Sequence, residues 1–155
     1  MNILDILASR AGTWQGASTL HDPNTKAPED SSSIVTITPI LAGRFVRLDY
    51  TWSYQGAPQE GSLLIGFDSN ADTVTACWID TWHMGHKAMI CDGPKPDSAT
   101  LCVRGSYELP PGPDWGWRID IIAEPAGMLR IVMFNVWPGG AREDIAVQAS
   151  YSRTP

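Results

Sequence analysis

From Ser32 onward, apolar and polar residues alternate with a period of two almost without interruption. That is the pattern of strands that bury one face and wet the other. Segments 34–41, 44–54, 62–67, 73–84, 86–91, 99–108, 117–124, 128–137 and 142–153 read as strands. Turn chemistry separates many of them: Ala42-Gly43, Gln55-Gly56-Ala57-Pro58, the run from Asp68 to Asp72, a bend at Gly85, and the run from Asp92 to Asp97. Pro110-Pro111-Gly112-Pro113 cannot continue a ladder and must be a loop. Upstream, 13–20 is a first strand, followed by a polar loop over 21–31 that carries Pro23 and Pro28. Ile3, Ile6 and Leu7 recur at helical spacing, which predicts a short helix over 2–10 ended by Gly12.

About ten strands in hairpin order behind one short helix predict an all-β fold, a closed antiparallel up-and-down barrel. It forms a single domain over 1–155, with helix in 1–10 and barrel in 12–153. Closure removes the sheet edges that would otherwise pair with other chains. A β-sandwich gives the same alternation, but the unbroken hairpin order and a Trp14/Arg153 pairing favour the barrel.

Neighbours on a strand point oppositely, so faces can be assigned. Val46, Leu48, Tyr50, Trp52 and Tyr54 share an inward face, as do Val74, Ala76, Trp78, Asp80, Trp82 and Met84. Thr75, Cys77, Ile79, Thr81 and His83 are assigned outward. Leu101, Val103, Tyr107, Trp117, Ile119, Ile121, Leu129, Ile131, Met133, Asn135 and Trp137 continue the interior. Ile145, Val147, Ala149, Tyr151 and Arg153 complete it. The interior is aromatic with a few embedded polar groups, which suits a compact guest of low polarity.

Composition narrows the picture. A chain of 155 residues buries roughly 70% of the surface its unfolded form exposes, enough for a core without staples. A net charge of -6 with scattered Lys and Arg argues against a nucleic-acid partner and against a polybasic membrane patch. No apolar stretch reaches the ~20 residues of a spanning helix, and the start lacks the basic region of a signal peptide. With an odd number of cysteines (Cys77, Cys91, Cys102), the expectation is a reduced cytoplasmic protein whose thiols pack as small apolar groups.

Asp80, between Trp78 and Trp82, is the leading candidate for chemistry. An inward carboxylate among indoles is desolvated, which raises its pKa and suits proton transfer; alternatively it only satisfies indole or phenol donors. His83 and His86 lie three apart around Gly85, on opposite faces of a regular strand, and neither has zinc spacing to Cys77 or Cys91. No metal site is expected, and His83 lines the mouth only if the strand twists. Asn135 is a lone inward amide that either orients a ligand or bonds the next strand. Arg47, Asp49, Arg104 and Arg118 fall on outer faces as solvated, ion-paired charges. No Gly-x-Ser-x-Gly elbow and no phosphate-cradling loop occur.

Five marks run through the chain in order: Gly12-Thr13-Trp14-Gln15-Gly16, Ile40-Leu41-Ala42-Gly43-Arg44-Phe45, Leu64-Ile65-Gly66-Phe67-Asp68, Trp78-Ile79-Asp80 and Tyr151-Ser152-Arg153. In that order they resemble the bacterial domain-of-unknown-function family 1579, placed in the lipocalin-like superfamily, and the opening resembles nitrobindin-like barrels. The resemblance implies a barrel with a cavity. It also implies a seal at one end, in which Trp14 fills the floor and the Arg153 guanidinium stacks on the indole. Nitrobindin-like relatives bind haem through a histidine late in the chain; no histidine follows His86 here, so no cofactor is expected and haem by that route is doubtful.

The leading functional expectation is a barrel that binds a small hydrophobic or aromatic molecule. Tyr50, Trp52, Trp78, Trp82 and Met133 supply contact area, while Asp80 and Asn135 fix orientation. The alternatives are a cavity enzyme doing isomerase, decarboxylase or cyclase chemistry, with Asp80 as acid/base and Tyr50 or His83 as second donor, and a structural or partner-binding barrel with a filled interior. Oligomeric state is open, with a homodimer among the options.

Overall fold

The computed structural model describes residues 1–25 and 27–153. Lys26, inside the expected 21–31 loop, and 154–155, the end of the expected domain, lie outside the described residues. One helix, α1 (Ile3–Ser9), leads ten strands: β1 (Gly12–His21), β2 (Pro28–Ile40), β3 (Phe45–Tyr54), β4 (Ala57–Asp68), β5 (Thr73–Asp80), β6 (Met89–Pro94), β7 (Thr100–Tyr107), β8 (Trp115–Ala123), β9 (Leu129–Val136) and β10 (Glu143–Ser152). Each strand pairs antiparallel with its sequence neighbour, and β1 pairs with β10 from Gln15↔Ser152 to Leu20↔Val147, closing the barrel. Gly16 sits at that seam because only glycine fits: a Cβ there would lie 1.7 Å from the Ser150 carbonyl oxygen.

Two adjoining hairpins are longer than the alternation predicts. The loop expected over 21–31 is largely ladder, since Ser18↔Ser31 through His21↔Pro28 remain paired. Cross-strand bonds hold this polar stretch, among them Thr19 Oγ1 donating to Asp30 at 2.7 Å. Farther along β2, buried Ser33 is bonded to the Tyr151 hydroxyl at 2.8 Å. Gln55 (φ 48°) and Gly56 (φ 79°) both adopt left-handed backbone, the signature of a two-residue turn. Strand β4 therefore resumes at Ala57 rather than at Ser62.

Other expectations need correction too, among them Trp137, expected inside but 39% exposed with its indole N–H donating to Asp144. The strand expected over 73–84 ends at Asp80, and the one expected over 86–91 runs from Met89 to Pro94. The Asp80 carboxylate accepts the backbone N–H groups of His83 and Met84, which turns the chain out of the ladder. In β10 the register shifts between Ile145 and Val147. That bulge leaves Ile145, expected inside, 39% exposed and brings Ala146 in at 8%.

One end of the barrel is stoppered. Asn2 caps α1 by accepting from the N–H groups of Leu4 and Asp5, and Asp5 accepts the Asn2 N–H in return. This seven-residue helix buries Ile3, Leu4 and Leu7 in the core. Trp14 is buried beside it, its indole N–H donating to the Arg10 carbonyl at 2.9 Å. Arg153 lies 5.9 Å from the Trp14 ring and donates to the Ala11 carbonyl, so it is an exposed clasp rather than an inward residue. Arg10 approaches the same ring at 6.0 Å and also donates to the carbonyls of Glu124 and Met128. All three cysteines are free thiols, and burial pushes Cys91 up to about 12. No helix among the described residues is long and apolar enough to cross a membrane.

The seal makes a graded prediction. Trp14→Ala removes a buried indole and should cost about 3–5 kcal/mol in urea denaturation. Arg153→Ala loses an exposed cation–π contact and should cost about 0.5–1 kcal/mol. Equal losses would show that the clasp, not the floor, holds this end.

Candidate functional site

Trp14 aside, the tryptophans cluster toward the end away from α1, on the last turns of β3 and β5, the start of β8 and the following loops. Tyr50, Gly61 and Asp80 stand opposite one another across β3, β4 and β5. The Tyr50 ring lies over Gly61, where a Cβ would come within 2.3 Å of its hydroxyl. That hydroxyl accepts the Trp78 indole N–H at 2.8 Å. Burial pushes the Tyr50 phenol far above its ordinary value. Trp78 in turn stacks on Trp117 of β8, with centroids 5.1 Å apart and planes 9° from parallel.

Residues 81–88 fold over this stack. Trp82 meets Trp52 edge-on at 5.8 Å and Tyr54 at the same separation. The Tyr54 hydroxyl donates to buried Asp22 at 2.7 Å. His83 was assigned outward by strand alternation; the Asp80 turn instead carries its imidazole inward. It lies 4.5 Å from Trp117, 5.5 Å from Trp78 and 4.6 Å edge-on to Tyr107. His86 remains exposed.

Beneath this cover is a cavity of about 20 Å³, walled by Tyr50, Trp52, Trp78, Asp80, Trp82 and Met133, with Trp117 among the further walls. A space that size holds about one water. Six of the seven residues expected to contact a ligand thus meet around one space. Asn135 does not join them; its carbonyl accepts the Tyr107 hydroxyl at 2.5 Å. Among the described residues, two buried side-chain polar atoms lack a hydrogen-bond partner, Trp117 Nε1 and His83 Nδ1. Both belong to this cluster. Trp117 was legible as an inward residue, but its contact with Trp78 crosses from β5 to β8 and leaves no trace in local sequence.

Electrostatics follow from burial. Desolvation lifts the Asp80 carboxyl above its ordinary value, although the N–H groups of Met84 and His83 oppose the shift. Desolvation likewise lowers the His83 imidazole, against the pull of Asp80. The ring is therefore neutral near pH 7. No group of three or more His, Cys, Asp or Glu among the described residues is placed to hold a metal ion.

The model of a family described as "Protein of unknown function (DUF1579)" matches residues 4–153. Among solved structures, the crystal structure of Rv2717c from M. tuberculosis is similar, with a TM-score of 0.65 at 13% identity. The likeness covers 99% of this chain and 98% of that one, and at such identity it bears on the fold alone. No curated protein matches the chain.

The two shifted groups should pull stability in opposite directions. The unfolded imidazole titrates near its ordinary 6.5. With its folded value lower, the folded state binds fewer protons between the two, so stability is lost as pH falls through that window. Asp80 works oppositely: its folded value lies above 3.8, so stability is gained as pH falls from the raised value toward 3.8. Thermal melts from about pH 7.5 downward should show His83→Gln with a flatter decline than wild type just below neutrality. Asp80→Asn should lack the gain at lower pH. Coincident curves would contradict a buried neutral imidazole.

Proposed function

The chain belongs to the DUF1579 family, and from its site we propose that it is a binding barrel for a small aromatic or hydrophobic molecule, held at the aromatic end. The observation that carries this reading is Trp117, only 2% exposed, which lines a cavity walled by indoles and whose Nε1 donor has no protein partner. No protein group engages that donor, so it is available to a ligand carbonyl or ring nitrogen. Tyr50, Trp52, Trp78, Trp82 and Met133 supply the contact surface. Asp80 and Asn135 already accept bonds from within the protein, so orientation falls chiefly to Trp117. The cavity as it stands is too small for a ring, and binding requires the 81–88 cover to move.

One observation favours a second reading, acid–base chemistry in the same cavity: Asp80 and His83 are pushed in opposite directions within one site. Against it, both Asp80 oxygens are within bonding distance of the His83 N–H, which leaves the carboxylate anchoring the cover.

Acetophenone and ethylbenzene test the binding reading, since they share a shape and only the first carries an acceptor. Acetophenone at 100 times its Kd should stabilise the protein by about 2.7 kcal/mol, read as a raised Tm. Trp117→Phe should weaken acetophenone about tenfold, the value of one hydrogen bond, and leave ethylbenzene unchanged. No stabilisation by either compound would make this a barrel with a filled interior.

A further inference from the structure

We propose that His83 is an internal placeholder: its imidazole occupies the slot between the Trp78–Trp117 stack and Tyr107 that a neutral planar ring, with an acceptor at its edge, takes when bound. The inference rests on the binding reading and adds to it the ligand's class and the residue it displaces.

Four observations converge. The imidazole touches three aromatic rings contributed by β5, β7 and β8, an arrangement suited to any flat ring. It fills the slot poorly, because Nδ1 is buried without a partner. An apolar plug such as phenylalanine would avoid that penalty. The imidazole is carried on 81–88, a segment outside the ladder whose residues Thr81 and Gly85 to Ala88 are exposed. Few bonds hold that segment down: Asp80 accepts from His83 and Met84, Thr81 ties back to Gln59 and Glu60, and Lys87 makes one long, exposed ion pair with Glu108 at 4.0 Å.

Room for the ring to leave exists toward β7, in a groove of about 570 Å³ that His83 itself borders. A second groove, of about 620 Å³, runs along β2 to β5 and is not bordered by His83. Gly85, Lys87 and Ala88 border both. Gly85 has φ +60° and nothing within 4 Å of where a Cβ would lie, so no side chain packs on the chain there. Swinging out rehydrates Nδ1, which offsets part of the lost stacking. A ligand with an edge acceptor then meets the Trp117 N–H that imidazole leaves unpaired.

Two variants measured beside wild type decide the matter. His83→Ala removes the placeholder, so acetophenone should bind at least tenfold tighter, and free imidazole at millimolar concentration should raise the Tm of this variant but not of wild type. His83→Phe installs a plug without the polar penalty, so it should be more stable than wild type and bind acetophenone more weakly. Acetophenone affinities within twofold across all three proteins, with no effect of imidazole on His83→Ala, would overturn the placeholder while leaving the binding reading intact. If no compound stabilises any of the three, both fail. If only His83→Ala binds, the placeholder stands, and the binding reading fails for the wild-type protein.

Discussion

The β1–β10 seam is the constraint on which the rest of the structure depends. Until those strands meet, the ten-strand sheet has two open edges and no inside. Once they meet, every strand has two neighbours, and alternate residues are committed to a shared interior. The seam tolerates no side chain at Gly16, where the Ser150 carbonyl approaches. One position therefore guards both the closure and the volume it encloses.

Closure creates two ends of different chemistry. At the first, an apolar helix and Trp14 fill the floor, and two guanidiniums clasp the indole while bonding to loop carbonyls. Polar atoms there are nearly all paired, as a purely structural seal requires. At the opposite end the aromatic residues are more numerous, and there, among the described residues, the two unpaired buried side-chain atoms occur. Among the described residues, those two atoms are the only buried side-chain polar atoms without a partner, and both lie in one cluster.

The link between β5 and β6 determines what that end can do. A ladder carried through to residue 84 would have pointed Trp82 inward and His83 out. Instead the Asp80 carboxylate turns the chain, so both rings pack over the mouth and the enclosed space shrinks to about 20 Å³. Burial shifts the same two ionisable groups in opposite directions, tying the cover to pH through the geometry that shapes the cavity.

Much of this architecture was legible in the chain itself. Period-two alternation is a local property, because a strand's side chains point oppositely whatever it pairs with. It marked ten strands and the inward places of Tyr50, Trp52, Trp78, Trp117 and Met133, while helical spacing of Ile3, Ile6 and Leu7 marked the helix at the start. The family resemblance, not alternation, placed Trp14 and Arg153 at one end; alternation put Arg153 inside, whereas it is exposed. What alternation cannot carry is any event that breaks the alternation. The Asp80 turn reversed the expected place of His83 through backbone hydrogen bonds, and the β10 bulge exchanged Ile145 for Ala146 through a shift of register. The Trp78–Trp117 stack, the Tyr107–Asn135 bond and the size of the cavity join residues far apart in sequence. Those were decided only by the curvature of the closed barrel, which sets which inward side chains reach one another across its interior.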